Sequence, residues 1–226
     1  MRYHEIPFHP RSLSITLRIW SPTLAAILVA VLWLVASVSC STQSAETFNG
    51  TVLNDDAAAY EFRLNDQFGN PVRLGDFRGE IVVLTFMYTN CPDVCPIVTT
   101  QLDSIYDSLG DTVTEVEIVA VSVDPERDTV EEARQYLERW DHADDWTFLV
   151  GDRELLERIW AAYYLAPVSE AGGPLDALRQ LSTEPYPVGH STPVYLIDRE
   201  GRRRVVFTQP LDPEKVGHDI NLLLAE

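Results

Sequence analysis

Two cysteines separated by three residues carry the clearest chemical signal in this chain. Cys91 and Cys95 stand in Cys-Pro-Asp-Val-Cys-Pro, after an apolar run and before a stretch with helical spacing. This pattern predicts that the pair lies on the first turn of a helix, whose positive end favours thiolate over thiol. Two residues four apart on such a turn lie on one side of it, so they can form a disulfide or share one soft metal ion.

The donor atoms restrict which metal the pair would bind. Two thiolates favour Cu(I) or Zn(II), and an added imidazole also suits Cu(II). A structural zinc site usually has four protein ligands, and the sequence offers only this pair and scattered histidines. The spacing is one residue longer than the Cys-x-x-Cys of thioredoxin, which favours metal binding over dithiol exchange. A pair of inert, buried cysteines is the less favoured alternative, because the motif is typical of a turn and not of a core stripe.

The elements around the pair predict an α/β fold. A hairpin is predicted over residues 61–74, strands over 81–88, 116–123, 146–150, 193–198 and 203–207, and helices over 97–109, 129–140, 153–164 and 212–224. Thr129, with Glu132 three residues later, is a candidate N-cap of the second of these helices. Strands alternate with helices and the series ends in a strand pair, which predicts a mixed central sheet with helices on both faces. A strand followed by a cysteine pair and a helix is typical of a thioredoxin-like fold.

His190 is the candidate for a third ligand. It follows a loop rich in proline and glycine and precedes a predicted strand. In a thioredoxin-like fold this loop meets the cysteine turn; a hydrogen-bonded loop histidine is the alternative. His142 lies in a charged stretch and is interpreted as a solvated loop residue, and His218 as a surface or packing residue.

Three acidic residues near the predicted site have less specific roles. Asp124 ends a predicted strand at the carboxyl edge of the sheet, where the sites of open α/β folds gather. It could support the metal site by hydrogen bonding to a ligand without contacting the metal itself. The favoured interpretation is that Asp124 or Asp128 shapes the turn and caps the following helix. Asp93 lies between the cysteines and is predicted to be exposed and to tune only their charge.

The N-terminal residues 1–45 predict an export signal or a membrane anchor. Residues 19–45 contain no charged side chain, and three arginines precede them. Cys40 closes the apolar part and resembles the lipidated cysteine of a bacterial lipoprotein signal, although Ser37 stands where that pattern has a Leu-like residue. A lipidated Cys40 and an uncleaved anchor both remain open.

Either alternative predicts that the rest of the chain is tethered to a membrane on its extracytoplasmic side. Residues 46–59 are polar and small and predict a linker, followed by one domain over residues 60–226. An oxidising compartment would allow a nearby cysteine pair to cross-link. Three cysteines are too few for a disulfide scaffold.

The charge balance excludes one class of partner. The chain has 35 Asp and Glu against 17 Lys and Arg, a net charge of −18. Nucleic-acid binding through a basic patch is therefore not expected.

Three segments in order resemble the signature motifs of the Sco/SenC family. The first is residues 86–96 with the cysteine pair, the second is residues 121–129, and the third is His190-Ser191 followed by residues 195–198. The resemblance extends from about Phe62 to the C-terminus. It implies a thioredoxin-like fold and a membrane-tethered protein that binds copper through Cys91, Cys95 and His190.

The family resemblance also implies a process. Sco/SenC proteins serve the assembly of the dinuclear copper centre of cytochrome c oxidase, as copper donor, as thiol reductant of that centre, or both. The implied partner is a copper-receiving subunit of that oxidase or another copper carrier. Gly189 departs from the family, which commonly has Asp before the histidine, and this could change the mobility of His190 or the affinity for copper.

Two functions of different classes therefore remain open. One is a copper metallochaperone, a binding protein without turnover. The other is a thiol–disulfide oxidoreductase, or less favourably a peroxidase, that uses the same cysteines. The two compete for the same sulfur atoms, because a disulfide cannot supply thiolates to copper. A copper carrier needs His190 as a third ligand, whereas a dithiol exchanger does not.

Overall fold

The computed structural model describes residues 47–53, 57–165 and 192–226. All of them belong to Glu46–Glu226, the second of the two units into which the chain divides. Within these three ranges no helix combines the length and the apolar character needed to cross a membrane.

A mixed sheet forms the centre of the described domain. Its strands are β1 (Thr51–Val52), β4 (Ile81–Met87), β5 (Val116–Ser122), β6 (Thr147–Leu149), β7 (Val194–Ile197) and β8 (Arg203–Phe207), in the spatial order β1-β8-β7-β4-β5-β6. β4 pairs in parallel with β5 and antiparallel with β7, and β5 pairs in parallel with β6. The mixed sheet predicted from the element order is confirmed.

The predicted hairpin also forms, as a separate two-stranded sheet. It consists of β2 (Arg63–Asn65) and β3 (Pro71–Arg73), and Leu64 lies opposite Val72. A short 3-10 helix, Leu74–Phe77, connects it towards β4.

Four described helices flank the sheet: α1 (Val94–Ser108), α2 (Val130–Arg139), α3 (Arg153–Ala162) and α4 (Pro213–Leu224). Every side chain of β4 is buried, so helices or loops cover both of its faces. The neighbours Met87 and Phe86 point to opposite faces. Met87 contacts Thr99 of α1, and the Phe86 ring lies 5.5 Å from the ring of Tyr163 after α3. α1 and the end of α3 therefore lie on opposite sides of β4.

Local capping sets the starts of two helices. Thr129 accepts a hydrogen bond from the Glu132 backbone N–H (3.2 Å) at the start of α2, as predicted from the sequence. Asp152 accepts one from Leu155 N–H (2.9 Å) at the start of α3.

The predicted linker over residues 46–59 is wrong for part of its length. Thr51 and Val52 pair with Val206 and Val205 as the edge strand β1. Just before them, the backbone N–H groups of Asn49 and Gly50 donate to the carboxylate of Asp219 in α4. A two-residue strand has no readable periodicity, and its partners lie far along the chain, so the sequence pattern indicated a linker.

Candidate metal centre

The cysteine pair lies where β4 ends and α1 begins. Cys95 is the second residue of α1, whereas Cys91 precedes the helix in a turn closed by its N–H to the carbonyl of Tyr88 (3.3 Å). The expectation that both cysteines share one helical turn is therefore wrong for Cys91. The two cysteines are nevertheless close in space, as predicted, because the turn brings Cys91 Sγ to the backbone of Cys95 at the start of α1. Both cysteines are free thiols; Cys91 is 8% exposed and Cys95 is fully buried.

The two sulfur atoms have opposite proton preferences. The backbone N–H of Cys95 donates to Sγ of Cys91 at 3.3 Å. The Cys95 thiol also donates to Cys91, and together with the N–H groups of Asp93 and Cys95 it outweighs burial and lowers the pKa of Cys91 to about 5. The same contact with Cys91, together with burial, raises the pKa of Cys95 well above its usual range. Cys91 is therefore the more acidic thiol of the pair, and Cys95 is the one that favours keeping its proton.

A buried carboxylate holds the turn that carries Cys91. Oδ1 of Asp128 accepts hydrogen bonds from the backbone N–H of Thr89 (3.0 Å) and from its hydroxyl (2.7 Å), and Oδ2 accepts from Ser122 Oγ (2.6 Å). Burial raises the pKa of Asp128 to about 6, although these three donors oppose the shift. One side chain thus joins the segment after β4 to the end of β5.

A second hydrogen-bonded chain lies next to Cys95. The hydroxyl of Thr99 donates to the carbonyl of Cys95 at 2.9 Å, and the hydroxyl of Tyr136 donates to Thr99 at 2.6 Å. Both side chains are buried, and burial raises the pKa of Tyr136. This chain links α2 to the first turn of α1.

Asp124 shapes the turn after β5 but does not cap α2. Its carbonyl accepts the N–H groups of Arg127 (3.1 Å) and Asp128 (2.9 Å), and its buried carboxylate pairs with the Arg127 guanidinium. That guanidinium lies over the ring of Tyr88, 5.7 Å from its centre. The predicted turn role is confirmed, and the predicted cap is wrong because Thr129 caps the helix. Support of a metal by Asp124 stays a prediction.

Several predicted residues lie outside the described part of the chain. These are His190, Gly189 before it, and Cys40. In the described ranges no group of three His, Cys, Asp or Glu side chains is placed to hold a metal ion. A third ligand for the pair is therefore not assigned from the geometry.

His142 is not the solvated loop residue that the charged stretch indicated. It is buried, its ring stacks on Trp146 at 4.0 Å between centres, and its Nε2 lies 2.8 Å from Asp103 Oδ1 in α1. The aromatic residue four positions later was the only sequence signal for this packing.

Sequence reasoning also missed the positions of Asp128, Thr99 and Tyr136 around the cysteines. Asp128 was considered only as a possible cap. Thr99 follows Cys95 by four residues, so the spacing could have predicted that the two share a helix face. No local pattern connects Tyr136 to this site.

Fold and site together define a thioredoxin-like protein with a paired thiol at the carboxyl edge of its sheet. The model of the SCO1/SenC family matches residues 51–225, so the chain belongs to that family. The expected family is thereby confirmed.

Solved and curated relatives agree with this assignment. Copper-bound ScoI from Bradyrhizobium japonicum is 28% identical and superimposes with a TM-score of 0.61, covering 74% of this chain and 99% of that one. Apo Sco1 from Thermus thermophilus is 30% identical with a TM-score of 0.65, covering 80% and 99%. Protein sco1 of Schizosaccharomyces pombe is 31% identical over 150 residues, which are 65% of this chain and 53% of that protein. The chain thus spans about half the length of this curated relative.

Proposed function

We propose that this protein is a copper metallochaperone that binds one copper ion through Cys91, Cys95 and His190. The observation that carries the proposal is the close pairing of two free thiols at the strand–helix junction of a SCO1/SenC fold. The copper-bound relative from Bradyrhizobium japonicum supports the choice of metal. Copper is here the cargo and not a resident cofactor.

The chemistry of the pair suits a soft cation. Cys91 already favours the thiolate, and Cys95 holds a proton mainly because it donates to Cys91. A soft cation would replace this shared proton, bind both sulfurs and release the proton to solvent. The imidazole of His190 would complete the ligand set and would also admit Cu(II).

The receiving partner and the tether belong to the same proposal. The protein delivers copper to, or reduces the thiols of, the dinuclear copper site of cytochrome c oxidase, as the Sco/SenC resemblance implies. Residues 1–45 hold it to a membrane on the extracytoplasmic side, through an uncleaved helix or through lipid on Cys40. The uncharged stretch over residues 19–45 and the arginines before it support this location.

A thiol–disulfide oxidoreductase is the second candidate, and the asymmetry of the two thiols favours it. In that function the Cys91 thiolate attacks a substrate disulfide, forms a mixed disulfide with one of its sulfurs and releases the other as a thiolate, which takes a proton from solvent. Cys95, after losing its proton, attacks Cys91 Sγ and releases the second substrate thiolate, which is protonated from solvent. The Cys91–Cys95 disulfide forms as two electrons pass to the substrate.

Metal loading separates the two candidates. The reduced protein is loaded anaerobically with Cu(I) and separately with Cu(II), and bound metal per chain and affinity are measured. The comparison set is Cys91→Ser, Cys95→Ser and His190→Ala, with Cys40→Ser as the matched cysteine control. One copper per chain, weakened by the first three changes and unaffected by Cys40→Ser, supports the metallochaperone. Absence of tight copper in the reduced wild type rejects it and makes the reduction potential of the pair the next measurement.

A further inference from the structure

Asp128 makes an unusual set of contacts for a residue at the start of a helix. Its side chain does not cap α2, because Thr129 does so. Its carboxylate is instead turned inward, and the residue is only 4% exposed. Burying a carboxylate costs free energy unless several donors surround it.

The three donors belong to two separate segments that border the cysteine turn. Thr89 follows β4 and lies two residues before Cys91, and Ser122 is the last residue of β5. The carboxylate therefore ties three segments together: the turn before Cys91, the end of β5 and the start of α2.

Cys95 is held independently of this carboxylate. It belongs to the first turn of α1, and its carbonyl accepts from Thr99, which in turn accepts from Tyr136. Besides the contact of the Cys95 N–H with Cys91 Sγ and the turn bond from Cys91 N–H to Tyr88, the separation of the two sulfur atoms thus depends on two supports: the α1 helix for Cys95 and the Asp128 contacts for the segment before Cys91.

We propose that Asp128 is a positioning residue that keeps Cys91 in register with Cys95, so that both sulfurs are placed for one copper ion before it arrives. This rests on the proposed function where copper is concerned, but the placement of the sulfurs also governs formation of the Cys91–Cys95 disulfide. Without the carboxylate, the N–H and hydroxyl of Thr89 and the hydroxyl of Ser122 lose their acceptor, and the turn is free to shift. A metal site whose ligands become ordered only when the ion binds has a lower affinity, because this ordering costs free energy.

The test uses the full chain with the substitutions Asp128→Ala, Asp128→Asn and Asp219→Ala. Affinity for Cu(I) and the reduction potential of the cysteine pair are measured for each. Asp128→Ala is expected to weaken Cu(I) binding about tenfold or more, as loss of a supporting contact behind metal ligands commonly does, and to shift the potential. Asp128→Asn keeps a carbonyl oxygen for Thr89 and an amide that can donate to Ser122, so it is expected to remain within about threefold of wild type.

Asp219→Ala is the matched control. Asp219 is fully buried and its carboxylate also accepts several hydrogen bonds, but these come from Asn49 and Gly50 and not from the cysteine turn. It is expected to lower stability and leave affinity and potential unchanged. Equal effects of Asp128→Ala and Asp219→Ala, or wild-type affinity and potential in Asp128→Ala, would overturn the proposal.

Two milder substitutions keep the proposal testable if Asp128→Ala does not fold. Thr89→Val and Ser122→Ala each remove one of the three hydrogen bonds, and each is expected to weaken Cu(I) binding by a smaller factor. Wild-type values in both would reject the positioning role. If the wild type binds no copper, the metallochaperone proposal fails, and the reduction potentials of Asp128→Ala and Asp128→Asn decide the role of Asp128. Both variants remove the charge that acts on Cys95, so a positioning role predicts a larger shift in Asp128→Ala, and equal shifts reject it.

Discussion

Asp128 and Asp219 are two buried carboxylates in different regions of the fold, and hydrogen bonds stabilise both of them. Each is surrounded by N–H or hydroxyl donors of a segment distant in sequence: Thr89, 39 residues from Asp128, and Asn49, 170 residues from Asp219. They differ in what the bound segment leads to. The segment held by Asp128 continues into Cys91, and the one held by Asp219 continues into β1. Burial and hydrogen bonding alone therefore do not mark a functional residue; its neighbours do.

The largest expected effect on stability comes from the Asp219 region. Asp219→Ala leaves the N–H groups of Asn49 and Gly50 without their acceptor and should lower the free energy of unfolding by about 3 kcal/mol. Urea unfolding measures this. Glu138→Ala is the control, because Glu138 is half exposed and pairs with Arg134 on the surface of α2, so its loss should cost less than about 0.5 kcal/mol. Equal losses would contradict the assigned role of Asp219.

The cysteine region should show its largest effect in reactivity. At pH 7, Cys91 should react with iodoacetamide roughly a hundredfold faster than Cys95, because its pKa is lowered whereas that of Cys95 is raised, and because Cys95 is fully buried. The rate at Cys91 should rise through a midpoint at about pH 5. Peptide mapping after short exposures gives both rates.

Asp219→Ala serves as the control for the alkylation experiment. Its loss of stability should not change the midpoint, because its contacts do not reach the cysteine turn. Similar rates at the two cysteines in the folded protein would contradict the proposed hydrogen bond between them.

A half-buried carboxylate, that of Glu117 in β5, adds a pH-dependent effect on stability to this comparison. Burial raises its pKa to about 7, with one opposing hydrogen bond from Thr147 (2.6 Å). The protonated form is therefore favoured by folding. Its stabilisation is complete below about pH 4.5 and is lost as the pH rises through 7. Glu117→Gln should thus gain about 2 kcal/mol over wild type at pH 8 and little at pH 4.5.

Unfolding free energies of both proteins at pH 4.5 and pH 8 test this expectation. Glu138→Gln is the control, since Glu138 is exposed and pairs with Arg134 on the surface of α2. An identical pH dependence of wild type and Glu117→Gln would show that Glu117 does not hold its proton in the folded state.

The smallest expected effects concern the two helix caps. Thr129→Ala and Asp152→Ala each remove an acceptor at a helix start and should cost about 1 kcal/mol of stability. Thr129 lies next to Asp128, so its removal could also loosen the cysteine turn. If Asp128 alone positions Cys91, Thr129→Ala should bind Cu(I) with the same affinity as Asp152→Ala, whose cap does not adjoin Asp128.

Much of the fold was predictable because its signals are local. The apolar run of β4 predicted a strand buried on both faces, Thr129 predicted the start of α2, and alternation of strands and helices predicted the mixed sheet. The start of α1 was predicted three residues late, because the sequence pattern assigned Val94 and Pro96 to the turn that carries the cysteines.

The candidate site was predictable only in part. The cysteine pair at a strand–helix junction followed from residue types and spacing. Its supports did not, because Asp128, Thr99 and Tyr136 reach the pair through contacts between separate elements. The burial of His142 escaped prediction for the same reason, since its charged neighbours indicate solvent while its ring packs on Trp146.

The sequence by itself determined the elements, the family and the pair of sulfur atoms, since these depend on the order and spacing of neighbouring residues. Only the tertiary structure decided which thiol keeps the proton, which carboxylate holds the cysteine turn, and that residues 51–52 join the sheet. Proton affinity depends on the donors and the burial around a group. Those surroundings are assembled from segments that local sequence patterns do not connect.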